Sequence, residues 1–222
     1  MFDNAPTALA KAEHAEAQAP SDRGGDKMHT SSTDFYVSAD VETDGPIPGE
    51  YSILSFALVP AGSYDGTKFQ RPTNFDDFFY CEFRPISAKF QSDALSVNKL
   101  DRERLIDEGV EPTAGMNRAY DWIMDRAQGK APVLVAYPLS FDWSWLFWYF
   151  TAFCDRGSPF NYSRCFDIKT AISMKTGRPI SASGRSKVPA KFASSRTHTH
   201  WAVDDAIEQA EIFANLFDAA SR

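Results

Sequence analysis

The sequence predicts one α/β domain with a mixed β-sheet. Three short apolar segments come first, joined by connections without helical periodicity, and strands then alternate with amphipathic helices to the end of the chain. The length of 222 residues fits one domain, or one domain and a tail. A hydrophobic content of 43% is enough for a sizeable core.

The first three strands are expected at residues 35–39, 52–59 and 75–83. Each is an apolar run of strand length, and the turn-forming residues at 44–49 end the first of them. Because the connections between the three are short, we expect them to pair as antiparallel neighbours.

Helices and further strands make up the rest of the domain. Periodicity predicts a helix at 111–127, an aromatic-rich helix at 141–154 and an amphipathic C-terminal helix at 201–220. Buried strands are expected at 133–136 and, more briefly, at 165–168. A meander followed by alternating helices and strands is typical of a mixed sheet.

Composition divides the chain and excludes several classes of protein. Residues 1–33 are rich in Ala, Ser, Asp, Gly and Pro and lack an apolar stripe, so we expect a mobile tail before a domain at 34–222. No segment reaches the roughly 18 apolar residues of a membrane helix, and no secretory signal is recognisable. Three cysteines without a CxxC pair predict free thiols in a reducing compartment, by default the cytoplasm.

Two acidic residues, Asp40 and Glu42, follow the first strand in the segment SADVETDG. Residues i and i+2 of a strand lie on one face, so both carboxylates are expected to point the same way. Adjacent carboxylates on an apolar sheet repel each other and lose hydration, and a bound cation removes that cost. The alternative is a strand end that runs into solvent.

A third carboxylate, Asp142, opens the aromatic helix directly after the strand at 133–136. Sites in open α/β sheets form beyond the C-terminal ends of strands, and Asp142 lies at such an end, as the acid pair does. The alternative is an acid that caps the N-terminus of its own helix.

The segment HTHWAVDDA before and within the final helix supplies Asp205 and His200. Five residues on one helix correspond to a rotation of about 140°, so the two side chains converge only if His200 lies in an extended segment before the helix. His198 and His200 could instead form an HxH metal pair.

In order and spacing these residues resemble the three motifs of the DEDDh 3′–5′ exonucleases, a family that includes proofreading exonucleases, ribonuclease T and oligoribonuclease. Its motifs are DxE followed by Thr, Phe-Asp at a helix start, and HxAxxDA. The matching residues are Asp40, Glu42, Thr43, Phe141, Asp142, His200, Ala202, Asp205 and Ala206. Trp201 stands where the sister DEDDy class has tyrosine, and residues 137–140 depart from the His-Asn that usually precedes Phe-Asp.

The resemblance implies an RNase H-like three-layer fold with a five-stranded mixed β-sheet flanked by helices. It also implies an enzyme that hydrolyses phosphodiester bonds at the 3′ end of single-stranded nucleic acid and releases nucleoside 5′-monophosphates. Asp40, Glu42, Asp142 and Asp205 would hold two Mg²⁺ or Mn²⁺ ions, with His200 as general base. These motifs fit either RNA or DNA as substrate, and the compact, stand-alone domain favours RNA. A homodimer is implied by the resemblance alone.

The net charge of −7 disfavours a nucleic-acid partner only as an average. Residues 164–196 contain eight basic residues and one acidic residue, a net charge of +7. This Ser/Gly-rich segment precedes His200, and we expect a flap that orders on the substrate, with contacts from Thr43, Arg185 and Lys187. The alternatives are a solvated surface loop there and, for the whole chain, a catalytically inactive nucleic-acid-binding module or an interaction subunit.

Overall fold

The computed structural model describes residues 33–218, and the predicted tail therefore lies, except for Thr33, outside the described residues. Its described part contains one mixed sheet in the order β3-β2-β1-β5-β6, with β4 also paired to β2. The strands are β1 (Asp34–Thr43), β2 (Ile53–Tyr64), β3 (Phe69–Gln70), β4 (Phe79–Glu82), β5 (Ala131–Ala136) and β6 (Cys165–Asp167).

Helices cover both faces of this sheet, which gives the predicted three-layer, RNase H-like architecture. They are α1 (Ser92–Asn98), α2 (Arg102–Glu108), α3 (Pro112–Ala127), α4 (Leu139–Phe153), α5 (Ile168–Thr176) and α6 (Ala202–Asp218). β1 is antiparallel to β2 and parallel to β5, and β2 is antiparallel to β4, so the predicted meander of the first strands is confirmed. No helix in the described range is long and apolar enough to cross a membrane.

The central strand, β1, separates two apolar clusters by the alternation of its side chains. Val37, Ala39 and Val41 belong to the cluster that contains the buried residues of α3 and α4. Tyr36 belongs to the cluster on the other face, which contains the buried residues of α5 and α6. The even-numbered residues of β1 therefore face α6, and this face carries the acid pair.

Small residues bring α6 close to that face. Ala202, Ala206 and Ala210 follow one another at intervals of four and are fully buried. The Ser38 hydroxyl of β1 donates to the backbone carbonyl oxygen of Ala206 in α6 at 2.8 Å. Side chains larger than alanine on this face of α6 would obstruct such a close approach. Because the helix lies this close, the polar residues of its N-terminal half reach the end of β1.

Several predicted boundaries differ from the structure. β1 continues to Thr43 and β2 to Tyr64, beyond the expected ends at residues 39 and 59. Two other differences have a local reason. The strand expected from residue 75 begins only at Phe79, after an Asn74 side chain has accepted the Asp76 N–H in a turn. The strand expected at 165–168 ends at Asp167, whose carboxylate accepts the Thr170 N–H and so caps α5.

The segment at 164–196 contains more regular structure than expected of a Ser/Gly-rich loop, whereas its ordering on substrate stays a prediction. Besides α5, the segment contains two 3₁₀ turns, Ile180–Ala182 and Arg185–Lys187. Phe192 is buried, and the Asn215 side chain on α6 donates to the Phe192 carbonyl at 3.2 Å. The C-terminal part of this segment therefore packs against α6.

Candidate active site

A cleft of about 650 Å³ lies where β1 ends between α4 and α6. It is lined by all five residues for which the sequence predicts a catalytic role and by the predicted substrate contact Thr43. The five are Asp40, Glu42, Asp142, His200 and Asp205. Residues 165 positions apart in the chain thus meet at the expected edge of the sheet.

Asp40 and Glu42 point to one side of β1, as strand alternation predicts. Each is 9% exposed, so neither belongs to a strand end in solvent. The Gln209 amide on α6 donates to Oδ1 of Asp40 at 2.8 Å, which fixes the orientation of that carboxylate. In the described part of the chain, Glu42 has no side-chain hydrogen bond and neither acid has a basic partner.

Asp142 belongs to the first turn of α4 but does not cap it. The N-cap is Pro138, and Oδ1 of Asp142 accepts the Val41 N–H of β1 at 3.1 Å. The side chain is 5% exposed. Asp142 is therefore tied to the strand between the two residues of the acid pair, which brings the third carboxylate to the other two.

Asp205 organises the segment that carries His200. Its two carboxylate oxygens accept the backbone N–H groups of Thr199 at 2.9 Å and His200 at 3.0 Å. His200 lies before α6 with a positive φ of 60°. The condition derived from the sequence, a histidine in the lead-in rather than in the helix, is met, and the exposed imidazole lines the cleft.

Burial makes the ionised carboxylates costly. It is the largest cause that raises the pKa of Asp40 well above its ordinary value, and the neighbouring acids raise it further. Burial, with Asp205 and Asp142 nearby, raises the pKa of Glu42 to about 8. The pKa of Asp142 is also raised, mainly by burial. The positive charge of Arg185 opposes these shifts without forming an ion pair with any of the three acids.

This donor set fits a divalent cation. Carboxylate oxygens of Asp40, Glu42 and Asp205 lie within 4.8 Å of one another, and an all-oxygen set is what hard divalent ions prefer. A cation would stabilise the charged forms that burial disfavours. The site is therefore suited to divalent-metal binding.

The two basic residues predicted to contact substrate differ in their surroundings. Nη1 of Arg185 lies 2.7 Å from Oε2 of Glu208, and Nη2 donates to the Tyr137 carbonyl oxygen at 3.1 Å. Lys187 lies two residues further on and is exposed. Neither residue lines the cleft. Arg185 is held beside it by contacts with the lining residues His198 and Tyr137, whereas Lys187 is open to solvent.

Several residues of the site are not predicted from the sequence. Gln209 and Glu208 lie four and three positions after Asp205, so the helical period could have indicated a shared face. Asn98 of α1 donates to the Thr43 carbonyl oxygen at 3.0 Å and lines the cleft. No local pattern marks Asn98, because the contact joins two distant segments.

The chain is similar in sequence to a known nuclease, which agrees with a cleft suited to divalent-metal binding. The chain is 34% identical over 193 residues to a 3′–5′ DNA exonuclease, Cap18, of Escherichia coli, covering 85% of this chain and 94% of the relative. No family model matches the chain.

Solved structures share the fold at lower identity. One is the nuclease domain of 3′hExo, a DEDDh family member, bound to rAMP, at 13% identity and a TM-score of 0.59 over 88% of this chain and 95% of that one. Another is a 3′-exonuclease in a structure concerned with recognition of the 3′ end of a histone mRNA stem-loop. It has 15% identity and a TM-score of 0.61 over 87% of this chain and 67% of that one.

The raised carboxylate pKa values predict a pH-dependent stability in the absence of divalent ions. The ordinary pKa of Glu42 is 4.5 and its folded value about 8, so the neutral form stabilises the fold below pH 4.5, and this contribution is lost as the pH rises through 8. We expect the thermal unfolding midpoint in EDTA to fall between pH 5 and pH 8, and Mg²⁺ or Mn²⁺ to restore part of it at pH 8.

The control for this measurement is Glu42→Gln, which cannot ionise. Its midpoint should fall less over the same pH range, and the ions should raise it less at pH 8. An identical pH dependence in Glu42→Gln and the unaltered chain would contradict the burial argument.

Proposed function

Since the chain belongs to the DEDDh 3′–5′ exonuclease family and is a 3′–5′ exonuclease, we propose that it releases nucleoside 5′-monophosphates from single-stranded 3′ ends with the help of two Mg²⁺ or Mn²⁺ ions. The observation that carries this proposal is the meeting of four buried carboxylates, from β1, α4 and α6, in one cleft beside His200. Buried acids without basic partners are costly to a fold unless they bind cations.

Each of the five residues has a role in the proposal. Asp40, Glu42, Asp142 and Asp205 would hold the two ions, which would stabilise the attacking and leaving oxygens of an in-line displacement at phosphorus. His200 accepts the proton of the attacking water. Its backbone is held by Asp205 while its ring remains exposed, so the ring can reach a water molecule above the carboxylates.

Substrate contacts are proposed on both sides of the carboxylates. Thr43 lines the cleft with a hydroxyl that donates to the Gly45 carbonyl oxygen at 2.8 Å, so its oxygen can still accept a hydrogen bond. Arg185 and Lys187 would bind phosphates of the strand. Phe141, 39% exposed at the cleft, offers a face on which a base can stack.

DNA is our proposed substrate, in place of the RNA expected from the sequence alone. The relative at 34% identity is named a DNA exonuclease, and this supports DNA for the present chain. The expectation of RNA rested on the compact domain alone, and RNA is now the alternative to the proposed DNA substrate. A direct comparison of the two polymers distinguishes them.

Two further proposals concern the setting of the enzyme. Cys81, Cys154 and Cys165 are free thiols in the described part of the chain, which supports a reducing compartment such as the cytoplasm. The homodimer implied by family resemblance stays a prediction that light scattering tests.

Hydrolysis is tested with 5′-labelled single-stranded DNA and RNA of one sequence, in Mg²⁺ and in Mn²⁺. A ladder that shortens from the 3′ end is expected. Asp40→Asn should abolish it, and His200→Ala should reduce the rate by about 10²- to 10⁴-fold, the usual contribution of a general base.

The matched control is Asp125→Asn, an acid of α3 that is 81% exposed and does not line the cleft. Its rate should equal that of the unaltered chain. Binding of the labelled strand without shortening in either metal would instead favour the alternative of a catalytically inactive nucleic-acid-binding module.

The basic segment is tested by salt dependence. Lys187→Gln should weaken single-strand binding and reduce the slope of log K against log [salt] by about 0.7, the value for one lost phosphate contact. Arg185→Gln should act in the same direction. Lys68→Gln, at the opposite end of β1 near Tyr64, is the control and should leave the slope unchanged. If Lys187→Gln and Arg185→Gln had the same slope as the unaltered chain and Lys68→Gln, these two residues of the basic segment would not bind phosphates.

A further inference from the structure

A second histidine, His198, lies at the cleft without a part in the proposed hydrolysis. Its ring centroid is 4.3 Å from that of His200, and the rings are inclined at 70°. Its Nδ1 is 2.7 Å from Oδ1 of Asp205. The HxH spacing noted in the sequence therefore corresponds to two imidazoles beside one buried carboxylate.

We infer that His198, His200 and Asp205 form a binding site for a borderline transition-metal ion such as Zn²⁺. One atom from each residue lies within 4.8 Å of the other two. Two imidazole nitrogens and a carboxylate oxygen are a donor set of zinc sites that keep a fourth position open. The neighbouring group of Asp40, Glu42 and Asp205 contains oxygen ligands only and favours harder ions.

The contacts of the His198 ring support this inference. Its Nδ1 lies between a hydrogen-bond donor, Nη1 of Arg185 at 2.6 Å, and an acceptor, Oδ1 of Asp205 at 2.7 Å. A single ring nitrogen either accepts or donates a hydrogen bond, so it cannot satisfy both. A metal ion bound by Nδ1 and Asp205 would replace both contacts. Nη1 of Arg185 would have to turn away from the ion, and Glu208 and the Tyr137 carbonyl would remain as partners of Arg185.

Occupation of this site by Zn²⁺ inhibits the enzyme. Asp205 belongs to both donor groups, so an ion held by the histidines competes for a ligand of the catalytic ions. The same ion would engage the ring of His200, which has to accept a proton from water in the proposed hydrolysis. This consequence rests on the proposed function, whereas the binding of Zn²⁺ does not.

Binding is measured first, without activity as the readout. Zn²⁺ is titrated calorimetrically into a Cys165→Ser, Asp40→Asn chain, in which the exposed thiol is removed and the carboxylate group is disabled. Adding His198→Ala should weaken binding at least about tenfold, the lower end of losses seen when metal-site support is removed. Adding Asp125→Asn, at an exposed position of α3, should not change it. Co²⁺ should give an absorption band that His198→Ala abolishes.

His198→Gln serves as a second variant, and circular dichroism establishes that each variant is folded. Unchanged Zn²⁺ affinity in a folded His198→Ala or His198→Gln chain would overturn the proposal. In the exonuclease assay at saturating Mg²⁺, the Zn²⁺ concentration for half-inhibition should rise at least about tenfold in either variant, and an unchanged value would contradict the inhibitory role. Zn²⁺ binding with no cleavage in Mg²⁺ would refute the proposed function but not the site.

Discussion

The rest of this structure depends on one constraint, the burial of four carboxylates at one cleft. In the described part of the chain, three of them, Asp40, Glu42 and Asp142, form no ion pair with a basic side chain. Each ionised acid loses hydration, and each raises the cost of ionising the next. The raised pKa values of Asp40, Glu42 and Asp142 are the direct expression of that cost. A fold retains such a cluster at the expense of stability, and cation binding is the interaction that offsets it.

The structure holds the acids in position by contacts that need no ion. Asp142 is tied to a backbone N–H of β1, Asp205 to two N–H groups of the segment before α6, and Asp40 to the Gln209 amide. These contacts depend in turn on the short distance between α6 and β1, which the alanines of the helix permit. The same face of α6 therefore packs in the core and positions side chains in the cleft.

The sequence predicts the parts of the site that follow from local periodicity. Strand alternation places Asp40 and Glu42 on one face, and the five-residue interval to Asp205 requires His200 to precede the helix. Contacts between distant segments are not predictable in this way. The Arg185–Glu208 ion pair and the Asn98 contact with Thr43 depend on how α6 and α1 pack. The packed segment at 164–196 is missed because its composition resembles that of a solvated loop, while a few buried residues such as Phe192 determine its position.

The carboxylates line the cleft while basic residues such as Arg185 lie beside it, so the overall acidic charge does not describe the surroundings of the site. The central claim is that the buried carboxylates exist to bind hard divalent ions. Calorimetric titration of the full chain with Mn²⁺ tests it most directly, in parallel with Asp40→Asn and Asp142→Asn. The account predicts two bound ions per chain, with at least one lost in each variant. Two ions bound with unchanged affinity in both variants, or no binding by the unaltered chain, would contradict it.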